Sequence, residues 1–177
     1  MEKEQIKTPR FLLSEDEIKG RIKIMADEIN HDYQGKDVTA ICILKGGMVF
    51  FTDLIRFLKM PLRCEFLATS SYGNDKKSSG EVKLTMDTKY PLEGKHVLVV
   101  EDIVDSGLTL SYILALLKAR NPASVKLCSL LFKPASLKRD LTVDYVGFKI
   151  GNEFVVGYGL DYAGLYRNLP YVGVLEE

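Results

Sequence analysis

Apolar residues recur along the chain at two spacings, and their alternation predicts a layered α/β fold. Ser14 and Glu17 form a capping-box pattern, and apolar side chains at helical spacing follow it, which predicts a first amphipathic helix. Further helices are predicted over 48–59 and 108–120. Apolar runs predict strands at 38–44, 62–69, 81–86, 96–101, 125–132 and 143–148. This order favours a parallel sheet covered by helices on both faces.

Length and charge restrict the class of protein. The chain has 177 residues, 46% of them hydrophobic, as expected for one globular domain. Lys plus Arg and Asp plus Glu number 24 each, so no net charge attracts nucleic acid or an anionic membrane. The charged N-terminus does not resemble a secretory signal, and no apolar stretch approaches the roughly 20 residues that span a bilayer. We expect a cytoplasmic protein with no nucleic-acid or membrane partner.

The cysteines and histidines do not predict a metal site. Cys42, Cys64 and Cys128 are odd in number, far apart and embedded in apolar runs. They are therefore predicted to be buried free thiols in a reducing compartment. His31 and His96 lie far from any cysteine in the sequence, so no zinc constellation is expected.

Charged or glycine-rich segments occur at the ends of three predicted strands. Lys45-Gly46-Gly47 follows the strand at 38–44, residues 101–109 end and follow the strand at 96–101, and Lys133-Pro134 follows the strand at 125–132. In an open parallel sheet, ligands bind beyond the carboxyl ends of the strands. We therefore expect one binding site to which all three segments contribute.

The acidic segment is the most informative of the three. The residues DSGLT open a helix, so their amides and the Ser106 and Thr109 hydroxyls predict a cradle for a phosphate. Glu101 and Asp102 would repel a bare phosphate, but they can accept hydrogen bonds from a vicinal diol and order water around Mg²⁺. The pattern predicts a ligand with a ribose and a phosphate, with Asp105 beneath the ring and its base. The plainer alternative is a helix cap beside two solvated carboxylates.

Several segments carry a family resemblance. VLVVEDIVDSGLT (97–109) resembles the ribose-phosphate signature of the type I phosphoribosyltransferases. Others resemble the hypoxanthine-guanine phosphoribosyltransferases: LKGG (44–47), SSYG (70–73), LLFKP (130–134), VDYVGF (143–148) and FVVGYGLDYAGLYRNLPYVGVL (154–175). The matches follow the expected order over residues 38–175.

The resemblance implies a fold and a reaction. The fold is a single phosphoribosyltransferase domain over 1–177, with a five-stranded parallel core over about 14–150. A small hood comes from about 1–13 and 151–177, and a flexible lid loop spans about 69–81. The reaction transfers phosphoribose from 5-phosphoribosyl-1-pyrophosphate to hypoxanthine, guanine or xanthine, giving IMP or GMP from the first two, and releases pyrophosphate. Mg²⁺ is the implied cofactor, and a homodimer or homotetramer is the implied assembly.

Four residues receive chemical roles from the resemblance. Asp105 matches the family's proposed general base, which takes the proton from purine nitrogen 7. Glu101 and Asp102 match the ribose-hydroxyl pair, one of which also orders the metal. Lys133 matches the donor to the exocyclic oxygen at purine position 6, and an ammonium opposes the amino group of adenine because it is a donor only. Without the resemblance, Lys133 would be interpreted as a surface lysine.

The purine, the phosphate and the lid account for further implied roles. Phe154 stacks on the purine and Val155 offers backbone groups to its pyrimidine edge. Ser71 and Tyr72 lie on the lid, whose closure excludes water. The 5′-phosphate loop consists of Ser106, Gly107, Leu108 and Thr109.

The remaining implied roles concern the binding of pyrophosphate and of a second metal ion. Asp161 matches a second metal ligand and Arg167 matches a bidentate clamp on pyrophosphate. Lys45 and Gly46 match a loop in which the family carries a cis peptide and whose amides reach pyrophosphate. Phe132 stands where many bacterial relatives have an acidic residue, and nothing in the sequence explains this difference.

Other functions fit the same signature. A nucleotide-sensing regulatory module could use this fold, but the balanced charge and the joint presence of Asp105, Lys133, Asp161 and Arg167 favour an enzyme. Adenine and orotate transferases share the phosphate loop, and Lys133 with the FVVGYGLDY segment disfavours both.

Overall fold

The computed structural model describes residues 7–71 and 82–176. Within these ranges the helices are α1 (Glu15–Asp32), α2 (Met48–Ile55) and α3 (Leu108–Lys118), with a 3₁₀ turn at Pro134–Ser136. The strands are β1 (Arg10–Leu13), β2 (Val38–Leu44), β3 (Leu62–Ser71), β4 (Val82–Met86), β5 (His96–Val104), β6 (Ser124–Phe132), β7 (Tyr145–Lys149), β8 (Val155–Val156) and β9 (Val172–Val174). Of the helices described, none has the length and apolarity needed to cross a membrane.

Helix α1 begins at the predicted capping box. The Ser14 hydroxyl accepts a hydrogen bond from the Glu17 amide at 3.3 Å, and the Glu17 carboxylate accepts one from the Ser14 amide at 2.8 Å. Both otherwise unpaired amides at the helix start are thereby satisfied. The buried face consists of Ile18, Ile22, Met25, Ala26 and Ile29, at the spacing expected for one side of a helix.

The larger sheet has the strand order β4-β3-β2-β5-β6-β7. The five strands from β3 to β7 in this order run parallel, so the predicted parallel core is confirmed. Strand β4 adds an antiparallel edge beside β3. About ten residues separate β3 from β4, which is too few for the crossover that a parallel neighbour requires.

Helices cover both faces of this sheet. Helices α1 and α2 pack on one face, where Phe50 belongs to the same buried cluster as Cys42. Helix α3 packs on the other face, where Ile113 clusters with Ile41. Neighbouring residues of one strand therefore enter different cores, which explains the continuous apolar runs in the sequence.

A smaller antiparallel sheet, β1-β9-β8, joins distant parts of the chain. Arg10 and Val155 both lie opposite Val174, on either side of β9. The rings of Phe11 and Tyr171 stack with their centroids 4.1 Å apart. Val155 and Val174 belong to the same buried cluster as α1 and α2, so this small sheet rests on the main core.

The predicted end of α2 and the predicted burial of Cys64 were wrong. Helix α2 ends at Ile55, not at 59, because the Asn30 side chain binds the carbonyl of Phe57 and the amide of Lys59 and so holds this stretch outside the helix. All three cysteines are free, but Cys64 is exposed rather than buried. Cys64 shares one face of β3 with the exposed Phe66, whereas Glu65 on the other face is buried, so this face of β3 is left largely uncovered.

Candidate active site

Strand β5 carries two acidic residues inside it and one directly after it. The apolar pattern predicted an end at 101, but Ile103 and Val104 continue the pairing with β6. Glu101 and Asp102 therefore lie within the strand, and Asp105 is the first residue beyond it. Since β5 lies between β2 and β6, all three strand ends that the sequence singled out are neighbours.

The carboxylates of Glu101 and Asp102 are close together and poorly solvated. Glu101 Oε1 accepts a hydrogen bond from the Asp102 amide at 3.0 Å, and Asp102 Oδ1 accepts one from the Ile103 amide at 2.7 Å. Burial, reinforced by the Asp102 carboxylate, raises the pKa of Glu101 well above its usual range. Burial also raises the pKa of Asp102, although its hydrogen bonds and the Arg167 charge oppose the shift. A hydroxyl donor or a cation would relieve this cost of desolvation.

The loop after β2 lies against Asp102. A Cβ atom at Gly46 would stand 1.6 Å from Asp102 Oδ2, so the backbone approaches the carboxylate more closely than a side chain at this position would allow. The peptide bond between Leu44 and Lys45 is cis, as the resemblance implies for this loop. The Lys45 side chain is exposed. The ends of β2 and β5 therefore meet in direct contact.

Lys133 follows β6 and is buried, not a surface lysine. Its side chain is 7% exposed, and Nζ lies 3.4 Å from Oδ2 of Asp105, whose side chain is 52% exposed. The Lys133 amide donates to the Val104 carbonyl at 2.9 Å, which holds the ends of β5 and β6 together. An ammonium and a carboxylate therefore lie side by side where β5 and β6 end.

The segment from Ser106 to Thr109 turns β5 into α3. Gly107 precedes the helix with a φ of 73°, a left-handed conformation that glycine adopts without strain. The residues at and after the turn, Leu108 and Thr109, are exposed. The first amides of a helix have no partner within it, so the start of α3 offers N–H groups that can bind an anion.

Phe154 and Val155 lie at an edge of the smaller sheet. The Leu175 amide donates to the Phe154 carbonyl at 2.9 Å, so Val155 and Val174 form a pair without mutual hydrogen bonds. The N–H and C=O of Val155 therefore point away from β9, toward the side of β8 that pairs with no other strand in the described part of the chain. The Phe154 ring is 52% exposed and meets Tyr162 edge to face, with centroids 5.7 Å apart.

Asp161 and Arg167 bind each other. An Nη2–Oδ1 distance of 2.6 Å joins the two side chains, and Arg167 Nη1 also donates to the Gly159 carbonyl at 2.6 Å. The second oxygen of Asp161 accepts from the Gly164 amide at 2.9 Å. The predicted pyrophosphate clamp and the predicted metal ligand thus share one loop of the C-terminal segment.

The lid lies mostly beyond the part of the chain that the structure describes. Ser71 is the last residue of β3, so this strand extends two residues beyond its predicted end at 69, into the start of the predicted lid. Tyr72 and the remaining predicted lid residues lie outside the described ranges.

Comparison with known proteins identifies the family of this chain. The model of the phosphoribosyl transferase domain matches residues 12–163, which is most of the chain. The chain belongs to the phosphoribosyltransferase family.

Relatives within this family are similar over nearly the whole chain. The hypoxanthine-guanine phosphoribosyltransferase of Bacillus subtilis is 47% identical over 167 residues, covering 94% of the chain and 93% of the relative. The bifunctional protein TilS/HprT of Listeria monocytogenes is 49% identical over 167 residues, but the chain spans only 26% of its length. A crystal structure of a hypoxanthine-guanine phosphoribosyltransferase from Bacillus anthracis superimposes with a TM-score of 0.91 at 43% identity, covering 96% of this chain and all of that one.

Sequence reasoning missed three residues at this phosphoribosyltransferase site. Tyr162 packs against Phe154. Tyr158, from the same C-terminal segment, donates a hydrogen bond to the Asp53 carboxylate of α2. Both tyrosines lie in the FVVGYGLDY segment, in which the family resemblance assigned roles to other residues but not to these two. No pattern in the sequence links that segment to α2.

Proposed function

We propose that this protein transfers phosphoribose from 5-phosphoribosyl-1-pyrophosphate to the 6-oxopurines hypoxanthine and guanine. The products are IMP or GMP and pyrophosphate, which makes the reaction one of purine salvage. The observation that carries the proposal is the buried ammonium of Lys133, 3.4 Å from the accessible carboxylate of Asp105. One group can recognise a purine oxygen while the other takes a proton from the same base. The close similarity to named enzymes of this type supports the proposal.

Asp105 is proposed as the general base. The reaction breaks the bond between ribose C1 and pyrophosphate, and a purine nitrogen forms the new bond to C1. The proton on purine nitrogen 7 must then leave. The half-exposed Asp105 carboxylate, beside Lys133 and at the start of the phosphate loop, can accept this proton.

Lys133 is proposed to select the 6-oxo group. Its ammonium has three donor hydrogens and no acceptor, and its burial leaves little water to replace a missing partner. The amino group of adenine is also a donor, so it and the Lys133 ammonium would both lack an acceptor. Such mismatches of buried polar groups discriminate strongly between substrates. The outward peptide groups of Val155 and the exposed ring of Phe154 fit contacts with the edge and the face of the same purine.

The donor is proposed to lie across β5 and α3. Glu101 and Asp102 accept hydrogen bonds from the ribose hydroxyls, and the 5′-phosphate binds the helix start at residues 106–109. Lys45, Gly46 and Arg167 bind pyrophosphate at the loop that touches Asp102. Together these contacts fix the ribose and the leaving group in line with the purine.

The carboxylates fit a magnesium ion that binds together with the donor. In the described ranges no cluster of three or more acidic, His or Cys side chains forms a closed metal cage. Mg²⁺ commonly takes one or two carboxylates and completes its shell with water and substrate phosphate oxygens, so an open pair is sufficient. Glu101 and Asp102 would hold one ion and Asp161 a second. A bound ion would supply neutralisation of charge on the departing pyrophosphate.

The assembly and the moving parts complete the proposal. We propose a homodimer or homotetramer in the cytoplasm. The proposed division has a core over about 14–150 and a hood from about 1–13 and 151–177, which is consistent with a small sheet that contains strands from both ends. Ser71 and Tyr72 are proposed to belong to a lid that covers the reacting ribose.

A substrate panel tests the function. The purified protein is supplied with the donor, Mg²⁺ and one of hypoxanthine, guanine, xanthine or adenine, and nucleotide and pyrophosphate are measured. We expect turnover of hypoxanthine and guanine but not of adenine. Turnover of adenine would contradict the role of Lys133. Absence of turnover, with Mg²⁺-dependent binding of the donor, would indicate a nucleotide sensor instead.

A further inference from the structure

We propose that the hydrogen bond between Tyr158 and Asp53 positions the groups that bind pyrophosphate. Tyr158 belongs to the C-terminal segment, and Asp53 lies in the last turn of α2. The Tyr158 hydroxyl donates to Oδ2 of Asp53. Tyr158 is a positioning residue here, since it acts through its neighbours and not on the substrate. The inference rests on the proposed role of Arg167 and the Lys45-Gly46 loop.

The backbone around Tyr158 indicates that its side chain is required. Gly157, Tyr158 and Gly159 have φ angles of 93°, 51° and 100°, so three successive residues are in conformations with positive φ. Glycine accepts such angles freely, whereas a residue with a Cβ atom is disfavoured there. Tyr158 is 3% exposed, so its ring is part of the core. A tyrosine held in an unfavourable conformation between two glycines points to a specific demand for its ring and hydroxyl.

The residue after Tyr158 touches both proposed pyrophosphate-binding elements. A Cβ atom at Gly159 would lie 2.2 Å from the Gly46 carbonyl oxygen, so the two backbones are in close contact. The Gly159 carbonyl also accepts the hydrogen bond from Arg167 Nη1 at 2.6 Å. A displacement of Gly159 would therefore move the Arg167 guanidinium and the loop that packs on Asp102.

The partner of Tyr158 lies on the helix that follows this same loop. Helix α2 begins at Met48, directly after Gly47, and Asp53 is five residues further along. The Tyr158 amide also donates to the Leu169 carbonyl at 2.9 Å, which holds the backbone from which the ring extends. Burial and the Asp53 carboxylate raise the pKa of the Tyr158 hydroxyl, so it stays protonated and remains a donor at neutral pH. The bond thus closes a ring of contacts through α2, the Gly46 loop and Gly159.

The matched control is a second buried tyrosine. The Tyr145 hydroxyl donates to Oδ2 of Asp32 at 2.6 Å, and Tyr145 is 4% exposed. This bond lies at the opposite end of the parallel strands, where β7 begins. Tyr158→Phe and Tyr145→Phe each remove one hydroxyl that a buried tyrosine donates to an aspartate, so a general loss of stability should affect both variants.

The experiment measures binding of magnesium pyrophosphate and of IMP by calorimetry, together with the melting temperature. Tyr158→Phe should bind magnesium pyrophosphate about 10-fold more weakly, with binding of IMP changed by less than about 2-fold. Tyr145→Phe should leave both affinities unchanged. Asp53→Ala should resemble Tyr158→Phe, whereas Asp53→Asn keeps an acceptor oxygen and should recover most of the affinity.

The outcomes separate this inference from the proposed function. If the wild-type protein did not bind magnesium pyrophosphate, the proposed role of this site would fail and the inference with it. If the wild type bound it and Tyr158→Phe behaved like Tyr145→Phe, the inference alone would be overturned. Equal weakening of pyrophosphate and IMP by Tyr158→Phe would also overturn it, because that result indicates a general disturbance of the fold.

Discussion

The large sheet carries charged groups at both ends of its parallel strands, at the edge where the strands begin and at the edge where they end. The charged groups at these two edges have very different hydrogen-bond partners. At the edge where the strands begin, the Asp32 carboxylate accepts hydrogen bonds from Lys126 at 2.7 Å and Tyr145 at 2.6 Å. At the edge where the strands end, the hydrogen bond that the structure records for the Asp105 carboxylate, in the described residues, is a 3.4 Å contact with Lys133. At the first edge, the protein itself supplies close hydrogen-bond donors to the Asp32 carboxylate.

The difference shows how an incomplete site can be recognised. A buried charge without close partners is costly, so the fold retains it only where another group compensates. Lys133 has a nearly inaccessible side chain and a single long contact among the described residues, whereas the more exposed Lys126 has two partners. The edge with unmet hydrogen-bonding capacity is the one to which a substrate would bring donors and acceptors.

The largest expected effect is on Asp105. Asp105→Asn keeps the size of the side chain but removes the base, so turnover of any 6-oxopurine should fall by about 100- to 10,000-fold. Binding of 5-phosphoribosyl-1-pyrophosphate, measured by calorimetry, should stay nearly unchanged. Unaltered turnover would remove Asp105 from the role of base.

A smaller loss is expected at Lys133. Lys133→Ala should raise the KM for hypoxanthine by about 10- to 100-fold, because a charged hydrogen bond is lost, and should leave binding of the donor nearly intact. Lys118→Ala, at an exposed position at the end of α3, is the control and should change neither value. Equal losses for purine and donor would count against the assignment of Lys133 to the purine.

The contact between the β2 loop and Asp102 predicts a further loss. Gly46→Ala should raise the KM for the donor by about 10-fold, because the new Cβ would displace a buried carboxylate. Gly20→Ala, in α1 with no atom within 4 Å of the added carbon, should keep the KM and stabilise the fold by about 0.5–1 kcal/mol. Wild-type kinetics in Gly46→Ala would show that Asp102 can move without consequence for the donor.

The smallest effect is expected at the satisfied edge. Hydrogen bonds from Lys126 and then Tyr145 lower the pKa of Asp32 below its ordinary value of 3.8. The ionised form is therefore favoured in the folded state, and its stabilisation is present above about pH 4 and is lost as the pH falls through the lowered pKa. Asp32→Asn should cost at most about 1 kcal/mol at pH 7, since the pair is partly exposed.

Chemical denaturation at several pH values checks this last prediction. The gap in unfolding free energy between wild type and Asp32→Asn should close as the pH falls below 3.8. Asp27→Asn, at an exposed position of α1, is the control and should show no comparable gap. A gap that did not change with pH would mean that the carboxylate charge at Asp32 contributes nothing.

Much of the fold followed from local patterns. The capping box at Ser14 and the apolar stripe of α1 involve residues a few positions apart, so the sequence states them directly. The parallel core was also correct, because strands buried on both faces leave continuous apolar runs. The end of α2 was wrong, since Asn30 from another helix decides it.

The candidate site divides in the same way. Residue types at strand ends indicated Glu101, Asp102, Asp105 and Lys133, because the direction of parallel strands determines which ends meet. The bond between Tyr158 and Asp53 joins residues 105 positions apart and left no trace in either local pattern. The burial of Lys133 was equally invisible, since a lysine after a strand is ordinarily solvated.

By itself, then, the sequence determined the order of helices and strands. It also determined that three strands end at the same edge of the sheet, and which types of side chain lie there. These depend on spacing and on charge, which are local properties of the chain. Only the tertiary structure decided how far β5 extends, which carboxylates have partners, and how closely Gly46 approaches Asp102. Those features depend on distances between elements that are remote in sequence, and packing of the whole core sets such distances.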